Sequence, residues 1–197
     1  MSVPVAYLDV PIQPDDIAAE IVKGFVPKSD LFIVTELPDL SPRSNYQAWL
    51  KHRGWKESRW VNILLQARPD EHIGPSDSNL RIFGRTWFPD AKIIDKGQEF
   101  GLQWLSVDRT ARDIFVRYEN DTRVTLIVCS QIGSVPAPSC QQFLRIRPGL
   151  QAEIIYGRQY LPQWLEFEMK THGLINRFIC DAEDLYESKK GRTICPD

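Results

Sequence analysis

Two periodicities divide the chain. Between Trp60 and Tyr156 apolar residues alternate with polar ones in short runs, the spacing of half-buried strands. Near the C-terminus Trp164, Phe167, Thr171, Leu174, Ile175 and Phe178 recur at helical spacing instead. The strand readings are Leu31–Glu36, Trp60–Ala67, Leu80–Phe83, Gln98–Val107, Asp113–Glu119, Thr122–Cys129, Phe143–Arg147 and Leu150–Tyr156. Within Gln98–Val107 the side chains of Phe100, Leu102 and Trp104 would share one face, as would Val124, Leu126 and Val128 further on. Turn chemistry separates several of these runs. Asn120-Asp121 suits a two-residue hairpin turn, and Pro148-Gly149 suits a type II turn with glycine at the positive-φ position.

The closing helix is read as Pro162 to Phe178, with Pro162 in its first turn, where a missing N–H leaves nothing unpaired. Glu166 and Lys170 form an i,i+4 pair on its outer face. Gly173 interrupts it at a cost of up to about 1 kcal/mol relative to alanine. Upstream, three prolines (Pro4, Pro11, Pro14) make residues 1–14 an extended arm. Asp15 and Asp16 open a short helix ending near Gly24, and Asn45 caps another over Tyr46–His52. The expected fold is α+β: an antiparallel meander packed on a C-terminal helix, with short N-terminal helices. One domain suffices for 197 residues. Residues 1–40 form the arm and first helix, 44–180 the core, and 181–197 an acidic tail.

Composition narrows the function classes. With 24 Lys and Arg against 26 Asp and Glu the net charge is −2. This gives no broad basic field for nucleic acid or an anionic membrane. No apolar run approaches the roughly 20 residues of a membrane span. The N-terminus shows neither the basic nor the hydrophobic region of a signal peptide. The localisation is thus periplasmic if an export segment belongs ahead of this sequence, and cytoplasmic otherwise.

Four cysteines bear on that choice. Cys129 and Cys140 flank a Pro/Ser/Gly loop, and Cys180 and Cys195 flank the acidic stretch Asp181–Glu187. Four cysteines allow three connectivities; the two local disulfides need little rearrangement, and each would contribute about 2–3 kcal/mol in the chain-entropy model. Four reduced, partly buried thiols are the alternative. The C-x-x-C spacing of a zinc site is absent.

Candidate chemistry is sparse. No G-x-S-x-G, H-E-x-x-H, P-loop or G-x-G-x-x-G occurs. Glu168 and His172 sit four apart on the closing helix, but no third metal ligand accompanies them, and both read as the edge of a solvated face. No catalytic residue, metal or cofactor is assigned. Two stretches suit protein binding. One is the polar loop Arg68–Asn79, with Arg68, Asp70, Glu71, His72 and Asp77. The other is the aromatic and arginine set around Trp55, Arg59, Trp60, Arg85, Trp87, Phe88 and Asp90, although tryptophans are more often core than contact.

The stretches L-I-V-C-S-Q-I-G-S-V-P-A-P-S-C (126–140) and I-I-Y-G-R-Q-Y-L-P-Q-W-L-E-F-E (154–168), with Arg177-Phe178, resemble small bacterial envelope proteins. Y-Q-A-W-L, R-W-V-N-I-L-L-Q and W-F-P-D fit the same pattern, so the resemblance spans Tyr46 to Phe178. Some such proteins are encoded beside type VI secretion effectors and look like their immunity proteins. The resemblance implies a periplasmic domain that binds a cognate toxic effector and occludes its active or assembly surface. It supplies no catalytic residues. This chain departs from the pattern in lacking an N-terminal anchor and in carrying the Cys180/Cys195 tail. The competing readings are a periplasmic module for a small ligand or envelope component, marked by a deep apolar pocket, and an enzyme marked by perturbed titratable groups in a cleft.

Overall fold

The computed structural model describes residues 30–42, 59–68, 74–76 and 92–188. Among them nine strands form one sheet in the order β2-β1-β3-β9-β8-β7-β6-β5-β4, every neighbouring pair antiparallel. The strands are β1 (Asp30–Glu36), β2 (Ser41–Pro42), β3 (Trp60–Ala67), β4 (Ile93–Glu99), β5 (Leu102–Val107), β6 (Arg112–Glu119), β7 (Thr122–Ser130), β8 (Ser139–Arg147) and β9 (Leu150–Gly157). A 3₁₀ turn, Arg158–Gln163, leads into α1, Trp164–Ser188. β4 to β9 run as a continuous meander, and β3 joins its β9 edge and carries β1 and β2 outward. The expected α+β architecture is therefore present. The readings over Asp15–Gly24, Tyr46–His52 and Leu80–Phe83 lie outside the described residues.

The register places side chains in rows. On the face under α1, one row runs Trp104, Phe115, Ile127, Gln142, Ile154, Ile63 and Ile33 across seven strands. The next row runs Ser106, Asp113, Cys129, Cys140 and Tyr156. Trp164, Phe167, Thr171, Leu174, Ile175 and Phe178 of α1 are all buried against this face, as their spacing predicts. The Phe167 ring lies 4.8 Å from that of Tyr156, and the indole N–H of Trp164 donates to the Phe100 carbonyl at 3.0 Å. Lys170 reaches both Glu166 and the Pro38 carbonyl at 2.6 Å, tying α1 to the turn between β1 and β2. The opposite face has its own cluster: Val107, Ile114, Val116, Leu126, Val128 and Phe143.

Three local readings need correction. Gln98–Val107 is not one strand, because Phe100 and Gly101 both take positive φ (53° and 76°) and turn the chain into a β4–β5 hairpin. Phe100 is exposed at that turn rather than aligned with buried Leu102. Gly101 is what makes the turn possible, since two successive positive-φ positions suit a type I′ hairpin. Secondly, the helix proper starts at Trp164, with Pro162 in the preceding 3₁₀ turn, and continues to Ser188. Thirdly, Glu168 is not on the solvated face: its carboxylate accepts a 3.0 Å hydrogen bond from Gln142 in the sheet. By contrast Asn120-Asp121 (φ 47° and 61°) and Gly149 (φ 76°) turn as expected.

Candidate functional site

A densely bonded region lies at the end of the sheet where β7 and β8 are joined. Cys129 and Cys140 face each other directly across these strands and form a disulfide, with Cα atoms 4.0 Å apart. Such a short separation belongs to a non-hydrogen-bonded antiparallel pair, where side chains come closest. The bond closes the base of the loop Gln131–Pro138.

A buried polar cluster supports that loop from below. Asp113 lies opposite Cys129 in the register and meets Arg158 at 2.6 Å, with both side chains almost fully enclosed. The same guanidinium donates to the Ser130 carbonyl at 2.6 Å and lies 5.6 Å from the centroid of the Phe115 ring. Gln131 turns its amide inward to donate to Ser106 Oγ at 3.1 Å, and Arg112 donates to Ser130 Oγ at 3.0 Å. Backbone bonds from Gln131 N–H to Ala111 and from Arg158 N–H to Pro138, both 2.9 Å, fix the two ends of the loop. Within it, Ser134 N–H (3.1 Å) and Oγ (2.6 Å) both donate to the Gln131 carbonyl. The tip residues 132–136 are exposed; Ile132 is 81% exposed and Val135 42%.

A second polar group sits between α1 and the sheet. Tyr156 donates to Gln142 Oε1 at 3.2 Å, and Gln142 donates onward to Glu168. Burial holds the Tyr156 phenol well above its ordinary range, and the Glu168 charge adds to that shift. Burial likewise raises the Glu168 carboxyl, opposed by the nearby Arg117 and the Gln142 hydrogen bond. Arg117 itself lies 5.4 Å from the Trp164 ring centroid. His172, one turn further along α1, is half-buried and held below its usual pKa by desolvation. This chain of groups ties helix to sheet. Among the described residues no three His, Cys, Asp or Glu converge as a metal site.

The binding residues expected from sequence are only partly described. Arg68 is exposed just beyond β3, its N–H bonded to the Gly149 carbonyl at 3.1 Å, and its charge opposes the burial-raised pKa of Glu153. Asp70, Glu71, His72, Asp77, Arg85, Trp87, Phe88 and Asp90 lie outside the described residues, as does Cys195. Cys180 falls within α1. The middle of the 68–79 loop is not free: Gly74 N–H donates to Gln151 Oε1 at 2.8 Å, and Arg123 donates to the Pro75 carbonyl at 3.0 Å. Sequence reasoning missed the Ile132/Val135 tip. The available signal was an uncharged run, Q-I-G-S-V-P-A-P-S, held between two cysteines. Elsewhere a cavity of about 470 Å³ opens beside the β4–β5 hairpin, with Asp95, Gln98, Gln103, Arg117 and Tyr118 on its walls. Those mainly polar walls differ from the apolar enclosure typical of small-molecule sites. No described helix is long and apolar enough to cross a membrane.

The described residues thus form a sheet covered on one face by one helix, with a disulfide and an enclosed ion pair at the base of the β7–β8 loop. No family model matches the sequence, and no curated protein matches it. Among solved structures the chain has the fold of Smlt3025, an immunity protein of the Stenotrophomonas maltophilia type IV secretion system. The superposition has a TM-score of 0.59 at 17% identity and covers 89% of this chain and 88% of that one.

Proposed function

We propose that this protein is an immunity protein: it binds a toxic effector delivered by a bacterial secretion system and neutralises it by covering its active or assembly surface. The observation that carries this reading is the fold shared with a secretion-system immunity protein along nearly the whole length of both chains. The resemblance of residues 126–140 and 154–168 to immunity-like envelope proteins points the same way from sequence alone. That resemblance suggests a type VI effector, whereas the shared fold comes from a type IV system, so the delivering machine is left to experiment.

Binding without catalysis suits a scaffold in which the Asp113–Arg158 pair and the Tyr156–Gln142–Glu168 chain are engaged in packing. The Cys129–Cys140 disulfide supports action in an oxidising compartment, for which the periplasm is the natural candidate. Contacts from the Arg68–Asn79 loop and from Arg85, Trp87, Phe88 and Asp90 belong to the same proposal, with the partner interface expected to bury on the order of 1,200–2,000 Å². The test is protection. Cells expressing the effector encoded in the adjoining gene, directed to the periplasm, survive when this chain is directed there too. Death at the same rate with and without it contradicts the proposal.

A further inference from the structure

We propose that the disulfide-closed loop Gln131–Pro138 is the inhibitory plug, with Ile132 and Val135 seated in an apolar-walled cleft of the toxin. This assignment rests on the immunity reading and names the element that makes the contact. Three observations carry it. The first is exposure against type: isoleucine is among the most often buried residues, yet Ile132 is 81% exposed, and Val135 beside it is 42% exposed.

The second is rigidity. The disulfide crosses the base of the loop, and Pro136 and Pro138 restrict its returning limb. Ile132 and Val135 form an isolated bridge across the tip, and Gly133 supplies the positive φ (85°) the bend requires. A loop already ordered in the free protein loses little conformational freedom on binding, which is how preorganisation raises affinity. The Asp113–Arg158 pair and the inward amide of Gln131 hold this shape from below.

The third is chemistry. From Gln131 to Ser139 no residue is charged. The five exposed tip residues, 132–136, are consecutive and lie between the two cysteines of the disulfide. Such an uncharged tip gains from burial in an apolar-walled cleft and would leave charges in a polar one unpaired. The small area of the tip makes it the anchor of an interface, with surrounding polar contacts excluding water.

The test uses the full chain and the purified effector cloned from the adjoining gene, with affinity read by calorimetry. Ile132→Asp and Val135→Asp are compared with Met169→Asp, a control on the outer face of α1 where the side chain is 62% exposed. Thermal melting confirms that each variant is folded. The expected result is a loss of about thirtyfold or more for each loop variant, as for removal of a central anchor, and a change within about threefold for the control. Wild-type binding with loop variants within about threefold of it overturns the plug while leaving the immunity reading intact. No binding by the wild-type chain overturns both. Self-association of the wild type that Ile132→Asp abolishes, with effector binding unchanged, makes the loop a contact between copies and also overturns the plug.

Discussion

Two glycines in similar company do opposite things. Gly74 has φ +64°, and a Cβ placed there would sit 3.0 Å from the Arg145 backbone nitrogen. Gly74→Ala therefore combines left-handed strain with a close contact that backbone cannot easily relieve, and about 1–3 kcal/mol of stability should be lost in a urea titration. Gly173 lies mid-helix and exposed, and an added Cβ there meets nothing. Gly173→Ala should raise stability by about 0.5–1 kcal/mol, the difference in helix propensity. Close packing does not account for this glycine. Tyr156 makes a pH-dependent prediction at the same scale. Its phenol is raised above the ordinary value of 10.0, so above that pH the unfolded chain releases this proton while the folded one keeps it. Stability then falls with rising pH by up to about 1.4 kcal/mol per unit. Tyr156→Phe should remove that slope; equal alkaline slopes for both proteins in matched denaturation series would contradict the assignment.

Among elements, the β7–β8 hairpin concentrates both covalent and ionic constraint. Replacing Cys129 and Cys140 together by serine opens a loop with a sequence separation of 11. The chain-entropy account puts the loss at about 3 kcal/mol, measurable by unfolding the double variant beside the wild type. Asp113→Ala should cost about 3–5 kcal/mol, because it leaves the enclosed Arg158 guanidinium without its counter-charge. Several strands were legible because alternation and turn chemistry agree: Trp60–Ala67 falls where its pattern puts it, and Asn120-Asp121 and Pro148-Gly149 turn as their residues demand, although β8 begins at Ser139 rather than at Phe143. β4 was not legible. Ile93 and Ile94 stand beside Asp95, Lys96 and Gly97 with nearly every residue exposed, so no burial pattern marks the strand. Asp113 and Arg158 could not be paired from sequence either, since only the β6–β7–β8–β9 register brings them together. The inward turn of Glu168 was hidden for a related reason. A carboxylate four residues before a histidine on a helix looks solvated until the strand carrying Gln142 is placed beneath it.

In the proposed mechanism the sheet and helix give support and the β7–β8 loop anchors recognition. That division makes stability and binding separable. Gly173→Ala should shift unfolding while leaving effector affinity unchanged, because this exposed position on α1 lies in none of the proposed contact stretches. Reduction of the disulfide should weaken both, as it frees the loop that the scaffold holds. The most direct measurement is light scattering on a size-exclusion column, with this chain mixed with the effector proposed as its partner. A single one-to-one complex that persists on dilution to about 100 nM is expected, as a nanomolar dissociation constant requires. Two species eluting separately at about 10 µM each would contradict it.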